Sequence, residues 1–263
     1  MTDLVFTDSH CHLNLLDLSL FDNEVANVVK IAQSNQVQHF LNVCVEIEKF
    51  PELLATTEQF PEVFCSVGLH PNEEVAEEPS VEQLVQLAQH KKVIAIGETG
   101  LDYYRSEADN RWQIPRLRRH ISAAKQAKLP LIIHTRQAKQ DTLDVLAAEE
   151  AKTVGGVFHC FTEDWEMAQM GMEMNFYISF SGIVTFKNAK ALQAVDKQVP
   201  LERLLIETDC PYLAPVPYRG KPNQPAYVRH VAEFLANLKG VSVATIAEIT
   251  TQNYQDLFLS KVG

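Results

Sequence analysis

The sequence predicts an α/β fold, a (β/α)8 TIM barrel with an extra C-terminal helix. Two patterns predict it: short apolar or β-branched runs recur eight times along the 263 residues, and longer segments with helical spacing lie between them. Strands that alternate with helices in this way are parallel, since each helix returns the chain to the same edge of the sheet. A doubly wound open sheet shows the same alternation and is the competing architecture.

The eight predicted strands are short and rich in Val, Ile, Leu and Phe. Such composition is typical of strands that are covered on both faces. Polar or charged residues follow most of them, so chemistry is expected where the strands end. The predicted strands are residues 4–6, 40–45, 63–67, 93–96, 131–133, 156–158, 176–178 and 204–206.

The predicted helices repeat apolar residues at intervals of three and four, which builds one apolar face for each helix. The segment 242–259 predicts an extra helix beyond the eighth strand and helix. No internal repeat, flexible linker or charge block marks a boundary, so residues 1–263 are expected to form a single domain. The clearest apolar faces consist of Val25, Val28, Val29 and Ala32, of Leu117, Ile121 and Ala124, and of Val231, Phe234, Leu235 and Leu238.

Composition excludes several classes of protein. With 46% hydrophobic and 22% charged residues, the chain is not a disordered or low-complexity sequence. No apolar run approaches the roughly 20 residues that a membrane-spanning helix needs, and the first residues do not form a signal peptide. We therefore expect a cytoplasmic protein without a membrane partner. The five cysteines include no C-x-x-C pair, so reduced thiols are expected rather than a cysteine zinc site.

The net charge of −11 argues against a protein that binds nucleic acid through bulk electrostatics. It leaves open an enzyme whose metal ions and local cations face the phosphates. Charge is therefore a mild argument against a nuclease and not an exclusion.

Six side chains that could bind metal follow five of the predicted strands. In a parallel barrel all strand ends open on one face, so these side chains would converge there, whereas an open sheet would spread them along an edge. Each has an ordinary explanation alone, such as a capped histidine or a turn residue, but their conjunction favours a metal site and the closed barrel. Histidine nitrogens with carboxylates suit zinc, manganese or similar ions. The six are His10, His12, Glu98, His134, His159 and Asp209.

Alternation along a strand points His10 and His12 to the same side, so that both imidazoles could hold one ion, while Cys11 points away. Cys160 and Cys210, each next to a candidate ligand, are predicted to be packing residues. The remaining histidines fall before a strand or within helical segments, and we interpret them as surface or packing residues. They are His39, His90, His120 and His230.

The ordered motifs of the chain closely resemble those of the TatD family of metal-dependent hydrolases, DNase-like members of the amidohydrolase-type barrels. The resemblance covers almost the whole chain. It departs from the common pattern at Gln137, where Asp is frequent, at Cys210, where Ser is common, and at Pro115 and Arg116, which interrupt an expected helix. The motifs are D-S-H-C-H-L at residues 8–13, G-L-H-P at 68–71, G-E-T-G-L-D-Y-Y at 97–104, H-T-R at 134–136, H-C-F at 159–161, Y-I-S-F-S-G at 177–182, E-T-D-C-P-Y-L-A-P at 207–215 and R-G-K-P-N at 219–223.

The resemblance implies two divalent metal ions per chain, Mg, Mn or Zn. By this analogy His10, His12 and Asp209 hold one ion, His134 and His159 hold the other, and Glu98 bridges both. Further residues are expected to contact substrate or to support these ligands. They are His70, Asp102, Arg136, Glu207, Tyr212 and Arg219.

The leading hypothesis is hydrolysis of phosphodiester bonds in DNA by a metal-bridging hydroxide, with Asp209 accepting the proton of the water. Glu98 is the second candidate catalytic residue. His70 and Arg136 are the candidates for contacting phosphate, and Glu207 lies on the same side of the strand as Asp209, from which it could tune the site. An ordinary buried ion pair is the alternative interpretation of Glu207 and of Arg136.

The predicted partner is single-stranded DNA or a frayed end, because the sequence has no stretch of interleaved basic and aromatic residues. Short contacts with a chain end favour exonuclease action, and no obligate protein partner is evident. Five cations in the loops or helix starts after the strands are candidates to face the substrate. The alternative interpretation is that they are scattered and solvated. These loop cations are Arg105, Arg136, Lys139, Arg219 and Lys221.

Two other functions stay open. A metal-dependent ester or amide hydrolase, such as a D-aminoacyl-tRNA deacylase, would use the same ligands, because the same nucleophile attacks a carbonyl. A non-enzymatic barrel that uses metals structurally is the third possibility, and the acids suited to proton transfer argue against it.

Overall fold

The computed structural model describes residues 4–104 and 110–260. Eight parallel strands pair in the order of the chain, each with the next, and a helix follows each strand. The predicted barrel is therefore confirmed, and the open sheet is excluded because its strand order would reverse. The strands are β1 (Phe6–Cys11), β2 (Val37–Asn42), β3 (Val63–Val67), β4 (Val93–Asp102), β5 (Leu131–Arg136), β6 (Gly156–Phe158), β7 (Phe176–Phe180) and β8 (Leu204–Ile206).

The helices surround the strands and bury the apolar faces that the sequence predicts, as Val29 on the first and Leu117 on the fourth show. None of the helices in the two described ranges combines the length and the apolar composition that crossing a membrane requires. The helices are α1 (Val25–Ser34), α2 (Phe50–Glu58), α3 (Val81–Leu87), α4 (Gln113–Ala127), α5 (Lys139–Ala148), α6 (Trp165–Glu173), α7 (Lys190–Asp196), α8 (Val228–Lys239) and α9 (Val243–Tyr254).

Four strands extend beyond their predicted ends. β1 begins where the prediction ended and runs to Cys11, β4 and β5 continue to Asp102 and Arg136, and β7 continues to Phe180. Most of the extra residues are polar because they lie at the mouth of the barrel, so a search for apolar runs stops too early. β2 lies three residues earlier than predicted, which places His39 inside the strand and not before it.

The ring closes between β8 and β1 without a regular ladder. Two backbone hydrogen bonds join the strand ends, from Asp209 N–H to His10 C=O at 2.9 Å and from His12 N–H to Cys210 C=O at 3.0 Å. The buried carboxylate of Asp8 adds a side-chain bridge, since it accepts the Thr208 N–H at 2.9 Å and the Thr208 hydroxyl at 2.5 Å. We call these contacts the β8–β1 seam.

Apolar side chains fill the barrel interior at the N-terminal ends of the strands, opposite the mouth. Alternate strand residues form one core cluster, separate from the larger core beneath the helices. The extra C-terminal helix is confirmed: Ser242 caps α9, and a π-helical turn, Gln255–Leu259, continues it. This segment seals the interior, and we call it the C-terminal plug. The interior cluster consists of Leu41, Val43, Ile94, Ala95, Ile132, Val157, Leu205, Tyr254, Leu257 and Phe258.

Candidate metal centre

The six predicted ligands converge on one point at the C-terminal ends of the strands. Glu98 lies between them, with its two oxygens facing opposite sides. Oε2 is 3.3 Å from His10 Nε2, and Oε1 is 2.8 Å from His159 Nε2 and 3.0 Å from His134 Nδ1. The two oxygens of Glu98 therefore contact different imidazoles on its two sides.

The side of the centre that faces the β8–β1 seam contains His10, His12 and Asp209. The two Nε2 atoms are 3.2 Å apart, and Asp209 Oδ1 is 3.4 Å from His12 Nε2 and 3.7 Å from His10 Nε2. The seam hydrogen bonds fix the backbones of all three residues relative to one another. The closure of the barrel and the assembly of this ligand set are therefore one structural event.

Glu98 reaches the centre because of the backbone that precedes it. The pairing of β4 with β5 shifts register between Ile96 and Thr99, and Gly97 has φ +139°. A Cβ atom at Gly97 would lie 2.5 Å from the carbonyl oxygen of Ile132, so only glycine fits. The irregular register, a common feature beside active sites, aims the carboxylate inward.

Hydrogen bonds fix the imidazoles of His12 and His134. His12 Nδ1 lies 2.9 Å from the Val43 carbonyl and so donates to it, which leaves the Nε2 lone pair facing the centre. His134 Nε2 lies 3.1 Å from Asp102 Oδ2, which leaves Nδ1 facing Glu98. Ring nitrogens held in this way by a carbonyl or carboxylate are typical of metal-binding histidines.

Glu207 supports His159 from below. Its Oε1 lies 3.3 Å from His159 Nδ1, an ion-pair contact that is too poorly aligned for a regular hydrogen bond. The same carboxylate accepts the Cys160 N–H at 2.7 Å and the Ser179 hydroxyl at 2.5 Å. Glu207 is fully buried, so these contacts hold it in one position.

Opposite charges set the pKa values at the centre. Burial raises the pKa of Glu98, but the charge of His159 and the hydrogen bonds from His10 and His134 outweigh it and hold the pKa well below its ordinary range. Burial lowers the pKa of His159, but Glu98 and Glu207 reverse this and hold the pKa well above its ordinary value. Carboxylates that stay ionised beside imidazoles are groups that a divalent cation can bind in place of protons.

The donor atoms fit a divalent metal ion. A tetrahedral ion with bonds of about 2 Å has ligand atoms about 3.3 Å apart. The observed separations bracket this value on both sides of Glu98: His134 Nδ1 is 3.4 Å from His159 Nε2, and His10 Nε2 is 3.2 Å from His12 Nε2. Within the described residues, three groups bring their donor atoms within 4.8 Å of one another: His10 with Glu98 and His159, His10 with His12 and Asp209, and His70 with Glu98 and His134.

His70 is close to the centre, but its hydrogen bonds make it a donor. Its Nε2 lies 3.4 Å from Glu98 Oε1, while its Nδ1 accepts the N–H of Asn72 at 3.1 Å. Burial lowers the pKa of His70 to about 4, so the ring is neutral at pH 7. A neutral ring that accepts at Nδ1 carries its proton on Nε2. Nε2 therefore presents an N–H to the cavity.

Arg116 holds the loop that carries His70. It is buried and donates to the His70 carbonyl at 2.6 Å, and its guanidinium pairs with Glu78. The expectation that Pro115 and Arg116 interrupt a helix was wrong. Pro115 lies in the first turn of α4, where a missing N–H costs no hydrogen bond.

A cavity of about 850 Å³ opens above the centre. Of the cations expected to face the substrate, Arg136 lines it, with its guanidinium 3.5 Å from the centroid of the Tyr104 ring. His70, Asp102 and Tyr212 line it as expected.

The other predicted cations are placed differently. Lys139 pairs with Asp164 and Glu166, because the acids at the start of α6 lie beside it. Arg219 stacks on Phe186 at 4.3 Å and is absent from the described lining of the cavity. Lys221 lies near the Tyr218 ring. Arg105 is outside the described residues.

The two cysteines beside ligands differ in their surroundings. Cys210 is buried, as expected for a packing residue. Cys160 is partly exposed and lines the cavity, because its backbone turns at φ +43° after His159. Sequence reasoning missed this exposure and also the seam residue Asp8, whose signal was present as the acid that begins the first motif.

Comparisons with known proteins agree with the geometry. A family model described as TatD related DNase matches residues 7–259. The chain is 44% identical over 256 residues to an uncharacterized metal-dependent hydrolase, YcfH, of Escherichia coli (strain K12), which covers 97% of this chain and 96% of the relative. It is 41% identical over 252 residues to another, YabD of Bacillus subtilis (strain 168), with 95% and 98% covered.

A solved structure of YJJV, a TatD homolog from Escherichia coli k12, superposes with a TM-score of 0.89 at 28% identity and covers 97% of this chain and 98% of its own. A TatD family hydrolase from Entamoeba histolytica has the same fold, with a TM-score of 0.84 at 22% identity, and covers 98% and 99%. The family model matches nearly the full length of the chain, and the structure contains the cluster of His, Glu and Asp side chains. The chain therefore belongs to the TatD family of metal-dependent hydrolases.

Proposed function

We propose that this hydrolase cleaves phosphodiester bonds of DNA and removes nucleotides from a single-stranded or frayed end. One observation carries the proposal: a buried cluster of imidazoles and carboxylates lies at the floor of an 850 Å³ cavity, and the guanidinium of Arg136 lines the wall. A guanidinium can grip phosphate oxygens at two points. The description of the matching family as DNases supports the same substrate.

Two divalent ions, Mg, Mn or Zn, are the proposed cofactors, with His10, His12 and Asp209 on one side, His134 and His159 on the other, and Glu98 between. Bound there, they supply a water of lowered pKa and stabilise negative charge on phosphate oxygens. The proposed ligand set consists of four imidazoles and two carboxylates, and the lowered pKa values of Glu98 and Asp209 keep both carboxylates ionised.

Asp209 is the proposed proton acceptor. Burial raises its pKa, but His12 and His10 outweigh this and hold the pKa below its ordinary value, so the carboxylate is ionised at pH 7. Its side chain is 13% exposed and lines the cavity, whereas Glu98 is 4% exposed. Asp209 can therefore take a proton at the cavity floor, whereas the more deeply buried Glu98 would serve as a metal ligand.

His70 and Arg136 are the proposed groups that orient the phosphate. His70 offers its Nε2–H, and Arg136 offers its guanidinium, held flat by the Tyr104 ring. Because the His70 ring is neutral, it can donate a hydrogen bond to the phosphate without adding a positive charge beside the metal ions. The phosphate would therefore lie between Glu98 and Arg136.

The test is digestion of end-labelled single-stranded DNA after chelation and separate restoration of Mg, Mn or Zn. We expect metal-dependent shortening from one end and at least a 100-fold loss of rate with Asp209→Asn, because removal of a positioned general base costs about 10²–10⁴-fold. Circular single-stranded DNA should survive. Intact linear DNA with every metal, in a protein shown to bind the ions, would sink the proposal.

A second candidate function is hydrolysis of an aminoacyl ester, such as that of a D-aminoacyl-tRNA. The observation that favours it is the acidic wall of the cavity, where Glu46 and Glu73 could pair with the ammonium group of an amino acid. The same metal series with an aminoacyl ester in place of DNA separates the two. Ester cleavage that is lost in Glu73→Gln, with DNA left intact, would favour this function.

A further inference from the structure

Two large aromatic side chains are exposed at the mouth of the barrel. Tyr104 and Tyr212 are each 54% exposed, although burying a tyrosine ring stabilises a fold by about 2 kcal/mol. Tyr212 lines the cavity, and Tyr104 covers Arg136, which also lines it. Tyr212 is among the residues that the sequence predicts near the substrate, whereas Tyr104 is not, because it lies in a separate loop with no local basic-aromatic pattern around it.

The strand order places these rings on opposite sides of the mouth. Tyr104 follows β4 and Tyr212 follows β8, and in a ring of eight strands these two strands are four positions apart in either direction. The candidate metal centre lies between them, since His134 comes from β5 and Asp209 follows β8. A substrate that touched both rings would cross directly over the centre.

Both rings are mounted on backbone that the site itself fixes. The Tyr104 N–H donates to Asp102 Oδ1 at 2.9 Å. The Tyr212 N–H donates to the Asp209 carbonyl at 3.0 Å, and the Tyr212 carbonyl accepts the Asn223 side-chain amide at 2.5 Å. The backbone that carries each ring is therefore held in place by residues of the site before any substrate binds.

Charge at the rim favours the same path. Glu46 follows β2 and Glu73 follows β3, and both residues line the cavity on that side. Glu46 is paired with Lys49 at 2.7 Å, and burial together with the charge of Glu46 raises the pKa of Glu73. Phosphate groups are repelled there and attracted to Arg136. A polyanionic strand is therefore directed along the line from β4 and β5 to β8.

We propose that Tyr104 and Tyr212 stack the two nucleobases that flank the cleaved phosphodiester, one ring for each base. The proposal rests on the proposed nuclease function and names the form of its substrate, an unstacked single strand drawn across the mouth. Stacking is indifferent to base identity, since every base has a π-face. The two bases are splayed apart by the metal centre between the rings, so paired duplex does not fit.

The test compares Tyr104→Ala, Tyr212→Ala and the matching Phe variants on three oligonucleotides of equal length. One is normal, and the others carry a single abasic residue immediately 5′ or immediately 3′ of the cleaved bond. Each Ala variant should raise KM for normal DNA on the order of tenfold, because a base–aromatic contact is lost equally from the ground and transition states. The kcat should change little in Tyr212→Ala, whereas Tyr104→Ala also removes the ring that packs on Arg136 and should lower kcat as well. Each Phe variant should behave as wild type.

The decisive result is the pairing of variants with substrates. Tyr212→Ala should be insensitive to one of the abasic substrates and Tyr104→Ala to the other, since each lost ring and its lost base remove the same contact. The inference is overturned if the losses caused by an Ala substitution and by an abasic residue add on both abasic substrates, or if the Ala variants have an unchanged KM. In either case, cleavage by the wild-type enzyme would still support the nuclease function. Failure of the wild-type enzyme to cleave any of the three overturns the proposed function itself.

Discussion

His120 is a single buried side chain that supports the site from outside it. Its Nε2 accepts the Leu69 N–H at 3.0 Å, and its Nδ1 donates to the Arg116 carbonyl at 2.9 Å. The first contact requires the neutral ring, because a protonated Nε2 cannot accept, and burial lowers the pKa of His120 to about 4. His120 thus links α4 to the loop that begins just before His70. The sequence predicts a surface or packing residue within a helical segment, and His120 is a buried packing residue of α4.

We predict that His120→Ala lowers the free energy of unfolding at pH 7 by about 2–3 kcal/mol, because it leaves the Leu69 N–H buried without an acceptor. The pKa of His120 is about 4 in the folded state and 6.5 ordinarily. The neutral ring of His120 therefore contributes its full stabilisation of the fold above pH 6.5. It is lost as the pH falls through 6.5 towards 4. The difference between the two proteins should therefore shrink in urea unfolding at pH 4.5 compared with pH 7.

His90→Ala is the control, since His90 lies near the surface beside Glu58. A constant difference in unfolding free energy between wild type and His120→Ala from pH 7 to pH 4.5 would contradict the account of His120 as a neutral buried link.

At the scale of the element, the β8–β1 seam joins three candidate ligands. The carboxylate of Asp8 spans the gap to Thr208, next to Asp209. β8 and β1 lack a regular ladder of backbone hydrogen bonds. The side chain of Asp8 therefore joins these two strands, as backbone hydrogen bonds join the other neighbouring strands. The position of Asp209 relative to His10 and His12 depends on it.

We predict that Asp8→Ala weakens metal binding at least tenfold, whereas Asp8→Asn keeps it near the wild-type value. Burial raises the pKa of Asp8 to about 8, so a neutral amide of the same shape is a close substitute that can accept from Thr208 N–H and donate to its hydroxyl. Isothermal titration with Zn or Mn measures the affinity. Asp196→Ala is the control, a buried carboxylate on α7 that is paired with Lys239.

Equal loss of metal affinity in Asp8→Ala and Asp196→Ala would show that general destabilisation, and not the seam, is responsible. Equal loss in Asp8→Asn and Asp8→Ala would show that the negative charge matters and not the hydrogen bonds.

The strands and helices illustrate what sequence patterns reveal. Apolar runs located β3, β6 and β8 to the residue, and helical spacing located α1, α4 and α8. The ends of β1, β4 and β5 were missed because polar residues at the barrel mouth carry no apolar signal. The bulge at Gly97 and the seam contact of Asp8 depend on neighbours distant in sequence, which local patterns do not encode.

At the scale of the whole molecule, the candidate site is a meeting point of strands from the entire chain. The residues that converge on it range from His10 to Asp209, so any ion bound there ties the first strand to the last. The convergence could be predicted from the barrel topology. The orientation of each ring could not, because partners such as Val43 and Asp102 decide it.

We predict that chelation lowers the Tm by about 5–10 °C relative to protein with saturating metal. An ion at 100 times its Kd adds about 2.7 kcal/mol, and about 2–4 °C corresponds to each kcal/mol at this chain length. Differential scanning calorimetry with and without chelator gives the shift. A variant with both His12→Ala and His134→Ala should lose most of the shift, and His90→Ala should keep it. An unchanged Tm on chelation in wild type would contradict the prediction.

The order of synthesis gives the C-terminal plug a further consequence. The ribosome synthesises the first strands early. Their apolar inner faces lack part of their packing partners until Tyr254, Leu257 and Phe258 have been made. The growing chain must therefore keep the inner faces of its strands exposed, within reach of chaperones and of other nascent chains. A message truncated before the codon for Tyr254 would encode every candidate ligand and still give a product destined for quality-control proteases.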